Sequence, residues 1–204
     1  PSRRAGLVTT ARVGVLALQG DVREHVALLE HLGADVVRVR RPEEFAQVDG
    51  LALPGGESTV IDKLSRQFDL GEPIRAAIRE GMPMLGTCAG LIMLSNRLID
   101  AIEGQQTFGG LDVLTRRNAF GRQTESFEAE LDIPALGTDP VHTTFIRGPV
   151  VEEVGADATA LASLEDGRVV AVEQGNLLGI SFHPELSGEP RFHQRFLDRV
   201  AARS

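Results

Sequence analysis

The sequence predicts an α/β fold: a doubly wound, mainly parallel sheet flanked by helices and carrying an antiparallel extension. Three observations carry this. Short apolar runs of strand length alternate with helical periods through the first half of the chain. The second half shows several strand-like segments and few helical periods. The 204 residues, 42% of them hydrophobic, suffice for one substantial core. Strands alternating with helices imply parallel β-α-β units, which bury both faces of their sheet under helices.

Taken in order, Pro1 to Arg12 is polar, basic and unpatterned, and is expected to be a disordered tail, leaving residues 13–204 as one domain. Val13 to Leu18 is a continuous apolar run closed by Gln19-Gly20, as in a buried strand. Asp21 stands where an N-cap belongs, and Val22, Val26 and Leu29, with Leu28 and Leu32, recur at helical spacing until Gly33 stops them. Val36 to Val39 and Leu51 to Leu53 read as short strands, the second running into the loop Pro54-Gly55-Gly56-Glu57-Ser58. Helical stretches follow near Thr59 to Phe68 and Ile74 to Arg79, then an apolar run, Met82 to Leu85, then a helical segment, Leu91 to Leu98. Further strands are expected at Leu111 to Arg116, Val141 to Ile146, Thr159 to Leu164, Val169 to Val172 and Leu177 to Phe182. Asp166-Gly167 and Gly175-Asn176 suit hairpin turns between the last three. Pro190 to Ala202 closes the chain as a helix with Phe192, Phe196, Leu197 and Val200 on one face.

Composition narrows the function. A formal charge of −8 with scattered Lys and Arg gives nucleic acid no basic field. No apolar run is long enough to span a bilayer, and no secretory pattern opens the sequence, so a membrane partner is not expected. The lone cysteine, Cys88, has no partner for an internal disulfide, which points to a reducing, cytoplasmic compartment.

That cysteine sits in Gly86-Thr87-Cys88-Ala89-Gly90, between a predicted strand and a predicted helix. The G-x-C-x-G spacing fits a nucleophile elbow, where flanking glycines permit a tight turn that pushes the central side chain outward. A helix N-terminus there favours thiolate over thiol. Without the two glycines, a small buried hydrophobe would be the better reading of a lone cysteine. A nucleophile needs a base. His25 and His31 fall on the first helix, His193 on the last and His142 in a strand, so each reads as surface or packing. His183 instead ends a strand, precedes Pro184 and has Glu185 two residues on; extended geometry would place both side chains on one side, letting the carboxylate orient the imidazole. The Gly55-Gly56 pair can turn a backbone N–H into an oxyanion hole beside that of Ala89. All three elements lie at the carboxyl ends of predicted strands, where open α/β sheets place their sites. Neither metal-ligand spacing nor a dinucleotide fingerprint occurs, so no metal and no cofactor is expected.

The elbow cysteine and the His183-Pro184-Glu185 segment resemble those of the class I, triad-type glutamine amidotransferases. Longer motifs narrow the likeness: Leu18-Gln19-Gly20, Arg23-Glu24-His25, Leu53 to Thr59, Gly86 to Leu91, Arg117-Asn118 with Phe120-Gly121-Arg122-Gln123, Phe145-Ile146-Arg147 and Ser181 to Leu186. From Val13 onward the chain is similar to the glutaminase subunits of pyridoxal 5'-phosphate synthase. The resemblance implies a flavodoxin-like sheet and hydrolysis of L-glutamine to L-glutamate and ammonia by Cys88, His183 and Glu185. It implies a glutamine site lined by Gly56, Glu57, Ser58, Arg117, Ile146 and Arg147, with Gly56 and Ala89 as oxyanion donors. It also implies that ammonia passes to a barrel-type synthase subunit, within a large hetero-oligomer that makes the vitamin B6 cofactor from a pentose phosphate and a triose phosphate. An arginine fork suits the substrate α-carboxylate. The triad is equally compatible with a glutaminase serving another ammonia-channelling synthase or with a γ-glutamyl hydrolase, and the fold alone with a non-catalytic regulatory subunit.

Overall fold

Apolar side chains that alternate across a strand leave both faces of a sheet in need of cover, and that requirement organises the computed structural model, which describes residues 12–119 and 126–203. Strands β1 (Arg12–Leu16), β2 (Asp35–Val39), β3 (Leu51–Leu53) and β4 (Met84–Thr87) are parallel, and β12 (Leu177–Ile180) joins them, in the order β2-β1-β3-β4-β12. This is the flavodoxin-like winding, with strand order reversing at β1 and β3. Val13, Val15, Ala52 and Leu85 face one core, against α1 (Val22–His31) and α7 (Arg191–Arg203). Leu16, Leu51, Leu53 and Met84 face the other, against α3 (Ser58–Gln67), α4 (Gly71–Arg79) and α5 (Ala89–Leu94). The helix α2 (Pro42–Phe45) is a single turn following β2.

Beyond β12 the sheet turns antiparallel. It continues through β11 (Val169–Gln174) and β9 (Val150–Val154) to β6 (Leu111–Arg116), with β5 (Ser95–Ile99) parallel at the edge. The hairpin from β10 (Thr159–Ser163) to β11 turns at Asp166-Gly167 and that from β11 to β12 at Gly175-Asn176, both glycines having positive φ. A separate ribbon pairs β7 (Phe127–Leu131) with β8 (Val141–Phe145). Phe145, Phe182 and Phe192 meet edge to face, at 5.6 and 5.3 Å between neighbouring rings, tying that ribbon to the end of β12 and to α7. Each such ring buried contributes roughly 1.5–3 kcal/mol.

Several elements differ from the sequence reading. The helix expected over Leu91 to Leu98 stops at Leu94, and Ser95 onward is β5. Ser95 Oγ donates to Leu91 O at 2.7 Å and pairs with Thr115 Oγ1 at 2.8 Å, so the side chain satisfies a terminal carbonyl and hands the chain to β6. β7 and β9 were not expected. Arg12 already belongs to β1, in register with Asp35; residues 1–11 lie outside the described residues, as does the Phe120 to Gln123 motif. Among the described residues no helix is long and apolar enough to cross a membrane.

Candidate active site

The carboxyl ends of β1, β3, β4 and β12, four successive strands, converge on one place. β4 delivers Cys88, whose φ of +51° and ψ of −107° are strained for a residue with a Cβ. Close packing enforces the turn: a Cβ at Gly90 would lie 2.1 Å from Leu53 O, and one at Gly86 2.5 Å from Gly90 O. The sulfur is thereby turned outward at the head of α5, half-buried, 4.0 Å from Arg147 O.

β12 delivers His183, though not by the extended geometry expected. Pro184 opens a single helical turn, α6 (Pro184–Ser187), with His183 as its N-cap, and the Glu185 side chain folds back from the first turn. His183 Nδ1 stands 2.8 Å from Glu185 Oε1, whose carboxyl is fully buried. Burial works against the imidazolium, but the close approach of Asp21, the Cys88 sulfur and Glu185 outweighs it, and the ring is pushed up to about 12. His183 is therefore charged at neutral pH beside the cysteine.

β1 delivers a residue the sequence reading assigned elsewhere. Asp21 occupies the N-cap of α1, yet its side chain makes no capping bond. It points instead into the site, with Oδ2 3.5 Å from His183 Nδ1. Burial raises Asp21, but the nearby His183, Glu185 and His25 together depress it below the usual carboxylate range. Burial, with the neighbouring Asp21 charge, pushes Glu185 up to about 8 against the opposing pull of His183.

Behind them lie two more buried groups. His25 and His193 are both 0% exposed, consistent with packing, but they also reach the site. His25 Nδ1 and His193 Nε2 are 2.8 Å apart, and His25 Nε2 is 3.1 Å from Thr87 Oγ1 and 3.6 Å from Glu185 Oε1. His193 Nδ1 is buried without a partner. A bare lone pair there costs less than an unpaired N–H, so His193 donates from Nε2 and His25 directs its own Nε2–H at Thr87 and the carboxyls. His25, Glu185 and His193 bring donor atoms within 4.8 Å of one another, but the two rings are committed to each other by that hydrogen bond rather than splayed around an ion.

Burial pushes His25 down to about 4, with Asp21 opposing and His183 assisting. Its ordinary value is 6.5, so between the two the unfolded chain binds more protons and stability falls as pH drops. The loss reaches about 3 kcal/mol at pH 4. Urea midpoints at pH 7.5 and 4.5 should therefore diverge more for the wild type than for His25→Gln, which does not titrate. An equal divergence would contradict this account.

The loop after β3 closes the site. A Cβ at Gly55 would lie 2.5 Å from His183 Cε1, so only glycine lets the loop ride over the imidazole. Gly56 has φ +148°, Asp21 N donates to Gly55 O at 3.3 Å, and Gln19 Oε1 accepts from Glu57 N at 2.7 Å. Of the residues expected to line a substrate site, Glu57 and Arg117 meet directly, with Nη2 3.2 Å from Oε1. Arg147, at φ +36°, brings its carbonyl to Cys88, and Ile146 beside it is 48% exposed. Ser58 departs from the group: it is buried, and its hydroxyl accepts from Gln105 Nε2 at 3.0 Å. That bond and one from Gln106 N to Asp62 Oδ2 pin the 101–109 loop onto α3. Asp21 and Gln19 were missed as site residues, although they follow β1 just as the other site elements follow their strands.

A model of the SNO glutamine amidotransferase family matches residues 15–202. The chain belongs to the SNO glutamine amidotransferase family. Among its relatives, a Clavibacter sepedonicus protein named pyridoxal 5'-phosphate synthase subunit PdxT is 65% identical over 92% of this chain and 90% of its own. A protein of the same name from Leifsonia xyli subsp. xyli is 62% identical, over 94% and 97% respectively. A crystal structure of a glutamine amidotransferase superposes with a TM-score of 0.86 at 44% identity, covering 93% of this chain and 98% of that one. The structure of PurLQS from Thermotoga maritima, at 16% identity over 96% of this chain and 99% of that one, shares the fold with a TM-score of 0.69.

Proposed function

We propose that this chain hydrolyses L-glutamine to L-glutamate and ammonia in the cytoplasm. In this reading it passes the ammonia to a barrel-type synthase subunit, in a large hetero-oligomer that makes pyridoxal 5'-phosphate. The observation that carries the reading is the meeting of the strained Cys88 with His183, itself held by buried Glu185, at the ends of adjacent strands. The high identity to proteins named as PdxT subunits supports the choice of synthase.

In the proposed mechanism His183 has already taken the cysteine proton, leaving an imidazolium–thiolate pair. The thiolate attacks the side-chain amide carbon of glutamine, and the N–H groups of Gly56 and Ala89 take the developing oxyanion. His183 returns its proton to the departing nitrogen, releasing ammonia and leaving a γ-glutamyl thioester on Cys88. A water molecule, deprotonated by His183, then attacks the thioester, freeing glutamate and restoring the pair. Arg117 and Arg147 bind the substrate α-carboxylate region and Glu57 its ammonium side, with Gly56 and Ile146 shaping the pocket. The catalytic unit is the single domain that opens with β1.

The test is glutamate release by the purified chain, alone and with the barrel subunit, pentose phosphate and triose phosphate. Glutamate release and glutamine-dependent pyridoxal 5'-phosphate formation are expected in the complete mixture. Glutamate release without the vitamer would assign the glutaminase to another synthase. Absence of both would overturn the reading.

A further inference from the structure

The cluster behind His183 holds one carboxylate more than the proposed triad uses. Asp21 Oδ2 and Glu185 Oε1 approach the same nitrogen, His183 Nδ1, at 3.5 and 2.8 Å. That nitrogen has one proton to give, and the shorter contact goes to Glu185. Both Asp21 oxygens and Glu185 Oε2 are then left buried without a donor. Buried polar groups are ordinarily paired, so three orphaned acceptors in one cluster need a reason. Two ionised carboxylates offer only acceptors, whereas a proton on either converts it to a donor and satisfies one oxygen on each. One polar atom each of Asp21, His183 and Glu185 lies within 4.8 Å of the others, so ionisation of one carboxyl disfavours that of its neighbour.

We propose that Asp21 is a positioning residue of the triad: it shares a single proton with Glu185, and the pair carries one negative charge opposite the His183 imidazolium. The proposal rests on the glutaminase reading of Cys88 and His183. The groups facing the pair are His25 from α1, with Nε2 3.9 Å from Asp21 Oδ1 and 3.6 Å from Glu185 Oε1, His183 from the α6 turn, and the Cys88 sulfur beyond it. The opposite displacements of Asp21 and Glu185 agree with one shared proton. Such a pair titrates as a unit.

Sharing makes the two carboxyls redundant. With Asn at position 21, Glu185 is relieved of its neighbour, ionises and supplies the charge alone. With Gln at position 185, the amide imitates a protonated glutamate: its oxygen accepts from His183, its NH₂ donates to Asp21, and Asp21 keeps the charge. Only the double replacement leaves the imidazolium without a counter-charge.

The experiment is a double-mutant cycle on glutamine hydrolysis with Asp21→Asn, Glu185→Gln and both together, run with the barrel subunit present if the free chain is slow. Each single variant should lose ~10-fold or less in kcat with KM little changed, and the double ~10³-fold or more, approaching the loss that follows removal of the orienting acid in serine triads. Additive effects overturn the proposal. So does a loss of ~10³-fold in Glu185→Gln alone beside a wild-type Asp21→Asn, because the charge would then reside on Glu185 only. Should circular dichroism show the double variant unfolded, Glu185→Gln decides by the same margins. A wild-type chain that hydrolyses no glutamine in either condition overturns the glutaminase reading and this proposal with it. An active wild type with additive variants overturns this proposal alone.

Discussion

Cys88→Ala is expected to abolish glutamine hydrolysis while leaving the fold intact. In the proposed mechanism the Cys88 thiolate supplies the bond to the substrate carbon. Loss of the nucleophile alone in a serine triad costs on the order of 10⁶ in kcat, and a drop of at least ~10⁵ is expected here. Stability should change little. The strain at φ +51° is borne by any residue with a Cβ, and alanine keeps that Cβ while removing only a half-exposed sulfur. A coupled ammonia assay on the purified variant, with circular dichroism for the fold, measures both. Hydrolysis at more than ~1% of the wild-type rate would mean that another group forms the bond, since no triad loses its nucleophile so cheaply.

The second large effect is expected from His183→Gln. In the proposed mechanism His183 holds the proton that must reach the leaving nitrogen and later accepts one from water, so its removal disables both halves of the cycle. Glutamine keeps a donor near Glu185 but exchanges no proton. In subtilisin, removing the histidine costs about as much as removing all three triad members, and a loss of ~10⁴-fold or more is expected here. The residual rate should also lose the wild-type pH profile, because the group that exchanges the proton is gone. Steady-state rates from pH 6 to 10 test this; a variant within ~10-fold of wild type, or one with an unchanged pH profile, would remove His183 from the mechanism.

Much of this site was legible in the sequence because its parts are local. The elbow reads from two glycines around Cys88, and their reason is local packing: Gly90 has no room for a Cβ against Leu53 O. The His183–Glu185 contact also spans only two residues, so the sequence brings the two side chains together, although the carboxylate does so by folding back from a helical turn opened by Pro184. Asp21 was hidden by a plausible local role. An aspartate before a helix reads as a cap, and only the tertiary approach of α6 to the end of β1 turns it towards His183. His25 and His193 are 168 residues apart in sequence, and nothing in either helix announces that they meet. The boundary at Ser95 was lost for a similar reason: Leu91 to Leu98 is apolar enough for helix, but the hydroxyl pairing with Thr115 is a long-range contact. β7 does carry the alternation of a strand, Phe127 to Leu131 with exposed Glu128 and Glu130.

The central claim is that Cys88 forms a covalent γ-glutamyl intermediate in a pocket that recognises glutamine. A diazo-ketone analogue of glutamine tests it most directly, since it reacts only where a nucleophile lies at the position of the side-chain amide. Peptide mass spectrometry after stoichiometric labelling should place one adduct on Cys88, with glutamine hydrolysis lost in proportion and protection by excess glutamine. An adduct on another residue, or full activity in the labelled protein, would contradict the account.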